Sequence, residues 1–196
     1  PTRRSSDLPS MHNEKAKSAG IQALMVWGMR VGQEFGELFN DKQLVKDCHQ
    51  AEKKLLKAAS QVYEQFSRSY QKADEAGAKQ VAALVSITGL EDPKKIDNEV
   101  LSYNGASGFS TFYGYFMLEA MAKAGNYQGA IDVIKTYWGA MLDLGATSFW
   151  EDFNMDWIEG SAGIDEIVPE GKKDIHGDFG AYCYVGFRHS LCHGWA

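Results

Sequence analysis

The sequence is short of cysteine, of basic charge and of long apolar runs, and each shortage excludes a class of protein. Its 196 residues include only three cysteines, too few and too scattered for a disulfide framework. Lys and Arg number 20 against 26 Asp and Glu, and the net charge of −6 comes without the basic stripe that nucleic-acid binding needs. Nucleic acid is therefore not an expected partner. No window approaches about eighteen apolar residues, so a membrane is not an expected partner either.

Phosphate-binding patterns are also missing. The glycine-rich stretches match neither G-x-x-x-x-G-K-[ST] nor G-x-G-x-x-G, and we therefore expect no bound nucleotide. No other cofactor is expected.

The two ends of the chain have an unusual composition. The opening PTRRSSDL has no amphipathic period, start Met or signal-peptide core, and residues 1–10 are interpreted as a non-native leader. The final SLCHGWA stops inside an apolar and aromatic run without a capping signal. We therefore expect residues 11–196 to be one piece of a larger domain, with the remainder of that domain upstream as a partner.

Apolar residues recur at helical spacing in the first third of the chain. One stripe covers 21–38 and a second covers 44–66, with the polar pair Asn40-Asp41 between them. Two such stripes joined by a short polar break predict an αα-hairpin.

Three further helices are predicted from residues that cap or break helices. These boundary residues are Gly89 and Pro93 after a helix at about 77–88, Ser110 or Thr111 before the next helix and Gly125-Asn126 after it, and Gly145 after the last. Met117, Met121 and Met141 fall on the apolar stripes and are predicted to be core residues. Since no convincing alternating strand occurs, the predicted fold class is all-α, built from paired antiparallel helices.

From Gly145 to about Phe187 turn signals replace the helical period. Between Glu151 and Asp178 the sequence has nine acidic residues against two lysines. A loop this long is uncommon in a compact domain unless it is functional. We expect the chemistry of the protein to lie here.

Within this loop FWEDFNMDW places carboxylates among aromatic rings. A carboxylate wedged among indoles is partly desolvated, which raises its pKa toward neutrality and suits it to proton transfer. Indole faces stack on sugar rings while carboxylates bind hydroxyls, which makes Trp150, Asp152 and Trp157 candidate substrate-binding residues. A packed surface loop with ordinary exposed acids explains the same spacing equally well.

Histidines provide the remaining candidates. Asp174, His176 and Asp178 alternate in the turn KKDIHGDFG, where any of them could bind a hydroxyl or simply tie the loop together. His189 and His193 are four apart, a spacing that can hold zinc when Cys192 or His176 adds a ligand. No second ligand pair has the expected spacing, so no metal is predicted. A metal-dependent hydrolase that uses these histidines is kept as an alternative, ranked third after the two hypotheses given below.

The stretch GFSTFYGYFMLEAMAKAGNYQGAIDVIKTYWGAMLDLGATSFWEDFN resembles the late catalytic region of bacterial α-L-rhamnosidases, glycoside hydrolase family 78. In that family a helix ends in Gly, a second helix carries a Trp, and a G-A-T-T-x-W-E element follows, here GATSFWE. Farther along, SLCH is similar to the family's S-L-N-H, and KQVAALVSITGL resembles the helix before this region. The likeness covers residues 20–196.

The resemblance implies part of a six-hairpin (α/α) toroid that hydrolyses a terminal deoxysugar with inversion. In such a mechanism one carboxylic acid protonates the leaving oxygen and a carboxylate across the ring activates water. Glu151 matches the general base, Trp150 the aromatic residue beside it, and His193 a histidine that contacts the sugar. The family's general acid lies far upstream and has no counterpart here. A carbohydrate partner and an extracellular or periplasmic location follow from the family's usual polymeric substrates.

Two departures from the family pattern concern specificity. Asp152 stands where a cation is usual, and Cys192 stands where asparagine is usual. A reversed charge beside the base would change which hydroxyls are recognised. These departures bear on the identity of the sugar more than on the glycoside hydrolase assignment. The second hypothesis is a carbohydrate-binding helical module without hydrolytic activity, which would lack the acidic stretch upstream.

Overall fold

The computed structural model describes residues 14–67, 77–147, 150 and 153–174. In these parts of the chain the fold is all-α, as predicted. The helices are α1 (Glu14–Leu38), α2 (Lys42–Ser67), α3 (Ala78–Ile87), α4 (Pro93–Ile96), α5 (Gly114–Ala124) and α6 (Tyr127–Asp143).

The predicted αα-hairpin is confirmed in α1 and α2. Asn40 adopts a left-handed conformation with φ of 55°, and the Asp41 carboxylate accepts a hydrogen bond from the backbone N–H of Leu44 at 2.9 Å. Two glycines of α1 let the helices approach closely. A Cβ on Gly36 would lie 2.7 Å from Cγ2 of Val45, so this side of α1 packs directly against α2.

A polar clamp joins the hairpin to the end of α3. Arg30 Nε donates to Glu52 Oε1 at 2.7 Å, while Arg30 Nη1 donates to the carbonyl oxygen of Thr88 at 2.6 Å. The hydrogen bond from Arg30, followed by that from Gln33, holds the pKa of the Glu52 carboxyl below its usual value. Lys123 Nζ donates to the neighbouring carbonyl of Ile87 at 2.7 Å. Two cations thus meet the negative end of α3.

Helix α3 is the buried centre of the described fold. Eight of its ten residues are buried, and it packs against α1 and α5. Gly89, with φ of 66°, ends it as predicted. Pro93 has a different role from the predicted helix stop, because α3 has already ended. It occupies the first turn of α4, where a missing N–H costs nothing, and Asp92 caps that helix by accepting from Lys95 N at 2.9 Å.

The predicted ends of the last two helices are confirmed, but the predicted start of α5 is wrong. Helix α5 begins at Gly114 with Tyr113 at its N-cap position and no side-chain cap, and Ser110 Oγ accepts from the backbone N–H of Tyr113 at 3.2 Å in the turn before the helix. Gly125 ends α5 with φ of 88°. Gly145 ends α6 in a left-handed conformation. The three methionines predicted for the core are at most 1% exposed, namely Met117, Met121 and Met141.

Four features were not predicted. They are helix α4, the π-helical turn Asp97–Leu101 that follows it, the 3₁₀ turn Met155–Trp157, and the parallel pairing of two short strands, β1 (Ser161–Ala162) and β2 (Lys173–Asp174). All four lie in connecting segments, outside the helices on which the predictions were made.

Candidate functional site

The segment after α6 is fixed to the end of that helix. Gly145 N donates to Leu142 O and Ala146 N donates to Met141 O, each at 2.9 Å, which is the bonding pattern of a Schellman motif. The backbone N–H of Ile164 returns to donate to Leu144 O at 2.8 Å. The far side of the loop is therefore held against the point where α6 ends.

Five rings form what we call the aromatic floor: Phe109, Tyr137, Trp150, Phe153 and Trp157. Ring centroids are 6.4 Å apart for Phe109–Tyr137, 5.4 Å for Tyr137–Phe153, 5.6 Å for Trp150–Phe153 and 6.2 Å for Phe153–Trp157. All four pairs are tilted or edge-to-face, the arrangement that aromatic quadrupoles favour.

A hydrogen bond ties the aromatic floor to α6. The phenol of Tyr137, which is fully buried, donates to the carbonyl oxygen of Phe153 at 2.6 Å. Trp150 is 4% exposed and Phe153 is 3% exposed, so both rings belong to the hydrophobic core. These two anchored residues bracket Glu151 and Asp152 in the sequence.

The predicted substrate-binding indoles differ in their surroundings. Trp157 is half-buried in the 3₁₀ turn Met155–Trp157 and keeps part of its ring at the surface. Trp150 is buried by packing, and its predicted contact with a sugar stays a prediction. Glu151 lies outside the described residues, and so do the other predicted site residues, which are Asp152, His176, Asp178 and His193.

Exposed acids follow the aromatic floor along the chain. Asp156, Glu159, Asp165 and Glu170 are all exposed, and Glu166 accepts a hydrogen bond from Gly163 N at 3.1 Å. The segment that contains and follows the half-buried Trp157 thus carries several exposed carboxylates.

A buried lysine next to the aromatic floor was not predicted from the sequence. Lys79 is 3% exposed, its Nζ donates to the carbonyl oxygen of Gly105 at 2.6 Å, and the ammonium lies 4.9 Å from the centroid of the Phe109 ring. Burial lowers the pKa of Lys79 to about 8. The burial of Lys79 could have been predicted from the composition of α3. A helix that is apolar on nearly every side is buried, and so is any charged residue within it.

Over 14–67, 77–147, 150 and 153–174 no three His, Cys, Asp or Glu side chains come together in a way that could hold a metal ion. In that same portion no helix combines the length and apolar character needed to cross a bilayer.

The chain was compared with known proteins at the level of family, sequence and structure. No family model, curated protein or solved structure matches it.

Proposed function

We propose that the chain is part of the catalytic domain of an inverting glycoside hydrolase of the α-L-rhamnosidase type, with a six-hairpin toroid fold and Glu151 as the general base. The substrate would be a terminal deoxysugar of a glycan or glycoside. The general acid would come from the upstream remainder of the domain.

The observation that carries this proposal is the burial of Trp150 and Phe153, the two residues on either side of Glu151 and Asp152 in the sequence. Trp150 and Phe153 are anchored in the core, with their ring centroids 5.6 Å apart, and the carbonyl of Phe153 is held by Tyr137. A general base must be held by a rigid support within hydrogen-bond reach of the water that it activates. The aromatic floor gives such a support to Trp150 and Phe153, the two residues that flank Glu151 and Asp152 in the sequence.

The composition of the neighbouring surface supports a sugar ligand. A half-buried indole, Trp157, lies beside exposed carboxylates such as Asp156 and Glu159. An indole face suits the C–H face of a sugar ring, and carboxylate oxygens accept hydrogen bonds from its hydroxyls. The paired helices α1–α2 and the adjoining α5 and α6 are compatible with a fold built of helical hairpins.

The deciding experiment replaces Glu151 by Gln in the intact enzyme and measures turnover of a nitrophenyl α-L-rhamnoside. We expect kcat to fall by about 10²–10⁴-fold, the range that general acid–base catalysis contributes, with KM largely unchanged. Azide, which needs no base, should restore turnover and give a glycosyl azide of inverted configuration. The matched control is Glu159→Gln, which removes an exposed acid from the same segment.

Other outcomes separate the alternatives. Unchanged turnover in Glu151→Gln would remove this residue from the mechanism. Sugar binding without turnover in the intact wild-type protein would instead support a carbohydrate-binding module. Loss of activity to a chelator, with stoichiometric zinc in the protein, would support the metal-dependent hydrolase.

A further inference from the structure

The loop from Ser102 to Phe109, which we call the 102–109 loop, covers the amine of Lys79. Its backbone turns through three left-handed residues, Asn104, Gly105 and Gly108, with φ of 53°, 54° and 77°. At one end Ser102 Oγ donates to the Asp97 carboxylate at 2.9 Å. At the other end, Phe109 is buried in the aromatic floor.

Lys79 holds the middle of this loop from below. Its ammonium donates to the Gly105 carbonyl at 2.6 Å and lies over the Phe109 ring, two contacts that reach 26 and 30 residues along the chain. A carbonyl dipole and a ring face compensate a buried ammonium only in part, because neither carries a net negative charge. Lifting the loop would hydrate the ammonium, which gains far more free energy from water than the neutral amine does.

We propose that the 102–109 loop is a proton-controlled latch: release of a proton from Lys79 closes the loop, and uptake of a proton opens it. This device is independent of the hydrolase proposal, since it depends only on Lys79 and the loop that covers it.

The direction follows from the difference between the two states. Burial lowers the pKa of Lys79 from 10.5 to about 8 in the closed loop, and hydration in the open loop restores the ordinary value. The open state therefore binds the proton more tightly, so protonation favours opening. The free energy that favours the closed loop is smallest below the lower pKa. It increases as the pH rises from the lower pKa to the higher one.

Within the described residues, neither the 102–109 loop nor α3 contains a carboxylate. Tyr103 is the only titratable residue in the loop and is exposed, and α3 contains none besides Lys79. On the neighbouring elements the phenols of Tyr113 and Tyr137 are buried, and the Asp97 carboxylate accepts hydrogen bonds from the Ser102 hydroxyl and the Asn126 amide. Lys79 is thus the one ionisable residue of α3, and its ammonium is buried directly beside the loop.

Amide hydrogen exchange of the wild-type chain tests the latch. The amides of Gly105, Ser107 and Phe109 are hydrogen-bonded within the loop and report its opening. After correction for the intrinsic base-catalysed rate, their protection should rise by about tenfold between roughly pH 6.5 and pH 9, the change expected for the two pKa values. Amides in the middle of α6 should not follow this pattern. Loop protection independent of pH would overturn the proposal.

Three variants identify the titrating group. Lys79→Arg stays charged at every pH and Lys79→Met is never charged, so both should abolish the pH response of the loop amides. Lys123→Met is the matched control, because Lys123 also donates to a carbonyl, that of Ile87, but from an exposed position. A response that survives in either Lys79 variant would contradict the latch.

A measurement on the wild-type chain alone guards against variants that do not fold. The Lys79 ε-CH₂ signals should titrate clearly below those of the exposed lysines by NMR. Titration together with the exposed lysines would overturn the latch without any substitution.

Discussion

At the scale of single residues, the described core holds several polar side chains that bind each other or the backbone. Asp97 is 5% exposed and accepts hydrogen bonds from Ser102 and Asn126, at 2.9 and 2.8 Å. The hydroxyl of Tyr137 and the amine of Lys79 each donate to a carbonyl of a segment distant in sequence. Because an unmade hydrogen bond in the interior is costly, these pairs specify how connecting segments lie on the helices.

Tyr137→Phe removes one such donor while keeping the ring. Tyr137 is fully buried and its hydroxyl donates to Phe153 O, so we expect the free energy of unfolding to fall by about 1–3 kcal/mol, the cost of an unsatisfied buried group. Urea unfolding monitored by tryptophan fluorescence measures this. Tyr127→Phe is the control, because Tyr127 is 68% exposed, and equal effects of the two changes would contradict the role given to Tyr137.

At the scale of elements, most helix ends were predictable because they are local. Gly89, Gly125 and Gly145 each adopt a positive φ directly after a helix, a conformation that glycine reaches without steric cost. The sequence signal and its physical cause lie within the same few residues. The hairpin turn at Asn40-Asp41 is predictable for the same reason.

Glycine-to-alanine changes should separate backbone strain from steric clash. Gly125→Ala adds a Cβ in open space at φ of 88° and should cost about 1–2 kcal/mol of unfolding free energy. Gly145→Ala should cost more, because at φ of 93° the new Cβ would also lie 2.7 Å from Cγ1 of Ile164. Thermal and urea unfolding of the variants would measure the differences.

The control for this series should change the free energy of unfolding in the opposite direction. Gly139 lies inside α6 with open space around its Cβ position, so Gly139→Ala should stabilise the chain by about 0.5–1 kcal/mol. Destabilisation by Gly139→Ala would contradict the open space described around that position. A Gly145→Ala variant as stable as wild type would show that the end of α6 is not positioned as described.

Features that depend on distant residues were missed. Pro93 was expected only to break a helix, although a proline followed by a helical turn is equally compatible with a helix start. The pairing of Ser161 with Lys173 is set by where two loop segments meet. Lys79 is buried because α3 lies between other helices. At the candidate site, local spacing identified Trp150 and Trp157 as notable but could not tell the buried indole from the half-buried one.

At the scale of the whole molecule, the helices pack in a series in which each contacts its neighbours. Helix α1 packs between α2 and α3, and α5 packs between α3 and α6. Helix α6, at one end of this series, exposes four large side chains, which we call the α6 stripe: Tyr127, Ile131, Ile134 and Leu142, at 68, 46, 41 and 62%. Their spacing places them on one face of the helix. A contiguous apolar face at the surface favours association.

We therefore expect the isolated chain to associate with itself through the α6 stripe. Ile134→Lys should weaken this association by about tenfold or more, because burying one isoleucine side chain contributes roughly 1.5–3 kcal/mol. Sedimentation velocity over a range of protein concentrations measures it. Thr136→Lys is the matched control, since it adds the same charge to an exposed position on another side of α6. A wild-type chain that stays monomeric at every concentration and melts in one sharp transition would contradict this expectation, because it would show that the α6 stripe needs no cover.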